Sequence, residues 1–315
     1  MKPLVSFLTP VKNVGAFLDE AVASVRALNF TAWEIVIADD HSEDDTYTRA
    51  VRLSAGDPRI QVVVNPGRGI VSGLNAAYAA CSGGHIKFLD GDDVIGPRFA
   101  DRLNDLLAEE ASYHDAVVVD EKLGPINVLR LTDRFQIQPY RSLFRGGVVS
   151  PPRWAWTFSR RIAEGIFPLP PLPSLHEDYW IALIIKKTAA RIVHVDEPLY
   201  LYRQRPGQIF GGLYNFSPKI VRTRAEAMSR VLETVEERAA FFGDGVPGFE
   251  EALNSMKSYY RLMARPGAST RAILGLRLPR GQRLKLWVVL KRPRTAAFLS
   301  RLKSGRASRW LARLK

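Results

Sequence analysis

Cysteine is all but missing from this 315-residue chain. Cys81 stands alone, so neither an internal disulfide nor a zinc-holding cysteine cluster can form. That suits a reducing compartment, and the expected location is cytoplasmic, free or peripheral at the inner face of the plasma membrane. Long hydrophobic runs are missing too. The longest in the tail, Leu284 to Leu290, is interrupted by Lys285 and falls far short of the ~20 apolar residues that span a bilayer. Leu4 to Leu8 is too short for the apolar segment of a signal peptide. Acidic residues are missing from one whole region. Arg261 to Lys315 carries 16 Lys or Arg and no Asp or Glu, so the first 260 residues hold 45 − 16 = 29 basic against 32 acidic. The net charge of +13 therefore sits in the tail. A near-neutral body argues against a nucleic-acid surface, and no specific nucleic acid is expected as a partner. A basic tail on such a body points to docking or tethering.

What is present, above all, is alternation. Apolar runs at 3–9, 33–38, 60–65 and 86–89 read as strands, and helical spacing falls between them at 14–28, up to Leu53, and at 71–80. This order predicts a mostly parallel, Rossmann-like sheet flanked by helices. Further on, the spacing predicts a helix over 98–111, a strand over 116–120, a helix from the Ser174-x-x-Glu177 capping box to about Lys187, extended segments at 191–195 and 198–203, and helices over 226–242 and 250–264.

In a parallel sheet the strand ends share one edge, where ligands bind. Asn13, Asp39, Arg68 and Asp90-Gly91-Asp92-Asp93 all follow strands and would meet there. Three carboxylates in four positions repel one another, and Mg²⁺ or Mn²⁺ would relieve that; the alternative is a polar turn. Arg68 suits phosphate or a solvated loop. Trp154, Trp156 and Trp180 suit a sugar-stacking platform or buried packing.

The ordered motifs are Thr9-Pro10-Val11-Lys12-Asn13, Asp39-Asp40-His41-Ser42-Glu43-Asp44, Gly69-Ile70 to Asn75, Phe88-Leu89-Asp90-Gly91-Asp92-Asp93, Phe158-Ser159-Arg160-Arg161, Phe167, His176-Glu177-Asp178 and Tyr200-Leu201-Tyr202-Arg203. Across about 3–210 the chain resembles the inverting glycosyltransferases of family 2, which share the α/β GT-A fold. The resemblance implies a metal-dependent enzyme with a nucleotide-diphosphate sugar donor, a UDP-sugar first. The implied donor set is Thr9, Pro10, Val11, Asn13, Asp39, Arg68, Asn75, Asp90 and Gly91. Asp39 would meet the base, Asp90 the ribose, and Asp92 the Mn²⁺ or Mg²⁺. Asp178 would be the catalytic base, with Glu177 as the alternative. Trp154, Trp156, His176 and Trp180 would face the acceptor, and Arg203 and Arg205 would belong to a mobile segment over the donor. Asp93 has no assigned role.

The implied organisation is a GT-A domain over 1–210 (donor half to about 97, acceptor half from 98), a helical extension over 211–265 and a basic amphipathic tail over 266–315. In the tail, Phe298 with Leu302 and Trp310 with Leu314 share helical faces among Arg and Lys, which suits an anionic membrane surface. The expected acceptor is a glycan or lipid-linked molecule of cell-envelope or exopolysaccharide synthesis. The alternative is a non-catalytic GT-A-like protein that binds nucleotide or polymer.

Overall fold

The computed structural model describes residues 4–144, 150–173, 176–205, 217–265, 267–276, 280–292 and 295. Ser174 of the expected capping box lies outside them, as do the tail residues Phe298, Leu302, Trp310 and Leu314. By contacts the chain divides into two compact units. The first comprises Met1–Ile137, Pro151–Pro171 and Ile184–Gln204; the second comprises Gln138–Ser150, Leu172–Leu183 and Arg205–Lys315. The units thus interleave along the chain.

The first unit opens as expected: β1 (Val5–Val11), α1 (Gly15–Arg26), β2 (Trp33–Asp39), α2 (Thr46–Ala55), β3 (Ile60–Val64), α3 (Gly69–Ala80) and β4 (His85–Phe88). β1 and β2 are buried throughout, as strands covered on both faces must be, and this is why they read as plain apolar runs. There follow β5 (Val94–Ile95), α4 (Leu103–Leu107), β6 (Ala111–Val119), β7 (Pro125–Leu129), α5 (Arg134–Ile137), β8 (Trp156–Ser159), α6 (Arg160–Ile166), α7 (Glu177–Thr188) and β9 (Ile192–Arg203). The last residues of α7, from Ile184, belong to this unit and the first to the other.

The sheet has nine strands in the order β3-β2-β1-β4-β8-β6-β9-β5, with β7 on β6. β1 to β4 run parallel, and β6 and β9 share their direction because the antiparallel β8 lies between β4 and β6. Register sets Val11 beside Asp39 and Asp39 beside Val64, which brings the expected site residues to one edge.

Two expectations are corrected here. The helix expected over 98–111 is only α4 after a 3-10 turn at Pro97–Phe99. The strand expected at 116–120 begins at Ala111, because polar Ser112, His114 and Asp115 are buried with partners and broke the apolar pattern; Ser112 Oγ, for one, donates to the Leu106 carbonyl at 2.7 Å.

The second unit is helical. Besides the start of α7 it holds α8 (Pro218–Glu237), α9 (Ala239–Gly243), α10 (Phe249–Ala264), α11 (Thr270–Leu274) and α12 (Arg280–Lys291). Val221, Ala225, Met228, Leu232 and Val235 form the buried stripe of α8 at helical spacing, and Leu253, Met256 and Tyr259 that of α10. Tyr179 donates its hydroxyl to the Leu143 carbonyl at 2.7 Å, and Phe144 meets Phe249 edge-on at 4.9 Å. Ile273 of α11 and Leu286 of α12 are buried with Tyr259 in a small satellite core. No helix among the described residues is long and apolar enough to cross a membrane.

Candidate active site

At the ends of β1 and β2, two polar groups are buried with no hydrogen-bond partner among the described residues: Thr9 Oγ1 and Asp39 Oδ1. Asp39 is only 3% exposed, and its other oxygen accepts the Ser42 N–H at 3.1 Å. A buried acceptor without a partner costs free energy comparable to a lost hydrogen bond, and a ligand or water that donates to it removes that cost. Pro10 and Val11 line the same buried strand end.

The neighbouring loops are pinned by residues whose roles the sequence did not disclose. Asp40 Oδ1 accepts from Asn65 Nδ2 at 2.7 Å and from the Gly69 N–H at 2.9 Å, joining the ends of β2 and β3 to the start of α3. Asp44 accepts from the Gly15 and Thr46 N–H groups. Burial pushes its carboxyl up, but these bonds outweigh that and hold it below its ordinary value. Asn13, at φ 52°, accepts the Glu43 N–H at 2.8 Å and donates its own N–H to Ser42 Oγ at 3.0 Å. It is a staple between two loops. Asn75, of the expected donor set, bridges to a distant loop. Its amide bonds to the Leu169 backbone, donating to the carbonyl at 2.9 Å and accepting the N–H at 2.7 Å. Arg68 is exposed just before α3.

The Asp90–Asp93 turn is closed by Asp93 N–H to the Asp90 carbonyl at 3.0 Å. Gly91 is required by close approach, since a Cβ there would stand 2.6 Å from Val11 Cγ1. Asp90 is paired with the Arg153 guanidinium. Asp93, unassigned by sequence, is buried and accepts the Arg203 N–H at 2.7 Å. Burial first, then the charges of Asp92 and Asp90, push its carboxyl well above the ordinary range. Asp92, half-buried in this turn beside Asp90, offers oxygen donors of the kind that fit a hard divalent cation, while Asp93 is turned into the protein. Beneath the turn, Lys87 is fully buried and donates to the Trp154 carbonyl. Burial pushes its ammonium well below its ordinary value against the charges of Asp90 and Asp93.

A different cluster, Asp115, His194 and Asp196, brings its ligand atoms within 4.8 Å of one another. Arg130 already bridges Asp115 at 2.9 Å and Asp196 at 2.6 Å, and His194 Nε2 lies 2.9 Å from Asp115. This is a satisfied ion-pair network within the first unit.

The tryptophan platform is corrected. Trp154 stacks on Tyr200 at 5.1 Å and Trp156 packs against Tyr113 at 5.2 Å, both buried. In the second unit Trp180 is buried edge-on to Phe242 at 5.0 Å. Packed in this way, the rings meet neighbouring side chains and leave almost no surface on which a sugar could stack. Arg203 is corrected as well. Instead of belonging to a mobile segment it is 1% exposed and bonded on every side.

In the second unit, Glu177 and Asp178 occupy the first turn of α7, Glu177 buried and Asp178 half-buried. Asp178 Oδ1 accepts the Tyr179 N–H at 2.7 Å. His176, at φ 72°, places Nε2 3.0 Å from the Arg224 carbonyl. Burial lowers its pKa, and the Asp178 charge opposes that. Arg205 begins the last segment of this unit.

The sequence profile of Glycosyl transferase family 2 matches residues 6–162. The glycosyltransferase EpsJ of Bacillus subtilis is 26% identical over 232 residues, 66% of this chain and 63% of its own. The chondroitin synthase of Escherichia coli is 35% identical over 95 residues, 30% of this chain and 14% of its own. The chain thus spans less than two thirds of the length of these relatives. Among solved structures, Staphylococcus aureus TarS 1–349 in complex with UDP-GlcNAc is similar in fold, with TM-score 0.55 at 17% identity, covering 96% of this chain and 93% of that one. The mannosyltransferase PcManGT of Pyrobaculum calidifontis, in complex with GDP-Man and Mn²⁺, has TM-score 0.54 at 15% identity, covering 94% and 84%.

Proposed function

The chain belongs, through residues 6–162, to glycosyl transferase family 2, and from that premise we propose that it moves a sugar, with inversion, from a nucleotide-diphosphate sugar to a hydroxyl of a glycan or lipid-linked acceptor. The observation that carries this reading is the pair of buried, unpartnered atoms Thr9 Oγ1 and Asp39 Oδ1, on the same sheet edge as the Asp90–Asp93 turn. A nucleobase N–H is a fitting donor to Asp39. The UDP-GlcNAc bound by TarS supports a UDP-sugar as the first candidate, with GDP-Man, bound by PcManGT, as the second.

Asp90, steadied by Arg153, receives the ribose. Asp92 holds Mn²⁺ or Mg²⁺, and Arg68 adds a phosphate contact from its exposed loop. When bound, the cation neutralises charge that grows on the leaving diphosphate. Attack at the anomeric carbon requires the acceptor hydroxyl to give up its proton. Asp178 accepts that proton, with Glu177 as the alternative; a helix N-terminus favours the ionised carboxylate a base must be. His176 and Arg205 are proposed for the acceptor and donor respectively. The chondroitin synthase among the relatives supports a cell-envelope or exported polysaccharide acceptor. The basic residues from 266 onward support docking on an anionic membrane surface at the cytoplasmic face.

The test is a thermal-shift panel of nucleotide sugars with and without Mn²⁺, since a ligand that binds only the folded state raises its stability with affinity. A shift by one nucleotide class, larger with Mn²⁺, supports the reading. A panel in which no nucleotide shifts the transition sinks it.

A further inference from the structure

The turn that carries Asp92 is fastened by the end of a single strand, β9, 110 positions later in the chain. The Tyr200 hydroxyl accepts the Asp90 N–H at 3.0 Å. Arg203 holds the other end. Its backbone N–H donates to Asp93 Oδ1 at 2.7 Å, and its Nε donates to the Asp92 carbonyl at 2.6 Å. Its remaining guanidinium nitrogens donate to the Glu121 carbonyl and to the Glu20 carboxylate, and the group lies 4.8 Å from the Phe17 ring centre.

Charge neutralisation alone does not require this arrangement. Glu20 already supplies the counter-charge from α1. The two bonds to residues 92 and 93 do something else: they fix the peptide that follows the Asp92 side chain, from its carbonyl and from the neighbouring carboxylate together. We propose that Arg203 is a positioning residue for Asp92, setting the direction in which that carboxylate leaves the turn, and that Asp93 serves as the second point of the same clamp. This rests on the reading of Asp92 as the metal-holding residue. A hard cation site tolerates only a few tenths of an ångström in its oxygens, so a turn free to rock would hold it weakly. Lysine cannot replace arginine here. Its ammonium is one point on a flexible stem, whereas the planar guanidinium reaches three acceptors in fixed directions.

The test uses the full chain with Arg203→Lys, Asp93→Asn, Asp93→Ala and Glu20→Gln. The binding of UDP and GDP is measured by calorimetry with and without Mn²⁺, beside a thermal melt of each metal-free protein. Asparagine still offers an oxygen to the Arg203 N–H, so Asp93→Asn should bind within about threefold of the parent in Mn²⁺. Glu20→Gln should do the same. Arg203→Lys and Asp93→Ala should weaken the Mn²⁺-dependent part of binding by roughly 10–100-fold, as loss of support around a metal ligand does, and leave metal-free binding unchanged. If Arg203→Lys does not fold, the contrast between Asp93→Ala and Asp93→Asn decides. Equal losses with and without Mn²⁺ would overturn the proposal, as would parental Mn²⁺ dependence in a folded Arg203→Lys. Loss of Mn²⁺ dependence in Asp93→Asn would make Asp93 a ligand and overturn it too. A parent that binds neither nucleotide in Mn²⁺ refutes the donor-site reading itself, before any variant is compared.

Discussion

The Arg153 guanidinium is paired with the Asp90 carboxylate, 63 positions earlier, and 10% of the arginine side chain is exposed. It comes from a 3-10 turn at Arg153–Ala155, in a stretch where sequence patterning singled out tryptophans. The pair fixes Asp90 in one orientation before any ligand arrives. Arg153→Ala should therefore weaken nucleotide binding by about tenfold or more, since a charge-assisted bond contributes ~1.5–3 kcal/mol. Calorimetry with UDP and GDP reads this directly, and unchanged affinity would remove Arg153 from the donor site.

Binding and chemistry should separate between Asp92 and Asp178. Asp92→Ala is expected to abolish the Mn²⁺-dependent part of nucleotide binding. Asp178→Asn is expected to leave binding intact and lower transfer by ~10²–10⁴-fold, the usual range for a positioned base. Near-full transfer by Asp178→Asn would pass the role to Glu177.

Gly91 meets Val11 too closely for any side chain. Gly91→Ala should cost ~1–3 kcal/mol by overpacking. Val11→Ala removes the obstructing methyl, so the double variant should be less destabilised than the sum of the singles, by ~0.5–3 kcal/mol. Denaturant melts of the four proteins measure the coupling, and strict additivity would show that the contact is relieved by other means.

The acid limb of stability has a local marker. The hydrogen bond from Arg59 holds the Asp57 carboxyl down at about 2. A carboxylate depressed in the folded state stabilises above its unfolded value of ~3.9 and loses that contribution as pH falls through the folded value. Asp57→Asn should thus melt lower than the parent at pH 7, and the difference should shrink between about pH 4 and pH 2. A gap that is constant across that window would contradict the assignment.

Membrane docking is open to test on the described helices. Leu274 and Leu284 are 58% and 62% exposed, amid a region with no acidic side chain from residue 261 onward. The full chain should sediment with anionic vesicles and release as salt rises, because exposed charges are screened within ~8 Å at physiological ionic strength. Leu274→Glu with Leu284→Glu should reduce recovery in the pellet. Equal recovery would take these helices out of the interface.

The front of the sheet was legible because buried parallel strands are unbroken apolar runs, and the residue after each run is where polarity returns. Asp39 and Asp90 to Asp93 were found in that way. β6 was only half legible, since Ser112, His114 and Asp115 find their partners inside the core. β9 reads as two pieces because Asp196-Glu197-Pro198 interrupts the apolar pattern, and there its pairing with β6 shifts register. The clamp at Arg203 and the hub at Asp40 and Asn65 left no local trace, because their partners lie 111 and 25 positions away. The tryptophans misled for a related reason: a ring that stacks on a sugar and one that packs on Tyr200 have the same sequence signature.

The second unit is drawn from three separate stretches of chain, Gln138–Ser150, Leu172–Leu183 and Arg205–Lys315. Heredity acts on contiguous sequence, and the first unit is likewise drawn from three stretches, so neither unit passes on as one block. Exchange of the four leading strands alone, from Val5 to Phe88, would part β4 from β8 and Asn75 from Leu169. Exchange of the helical unit would have to carry all three stretches at once, or it would part Tyr179 from Leu143 and Trp180 from Phe242. Chimeras that swap only the region beyond residue 205 should therefore express poorly unless the two short stretches travel with it.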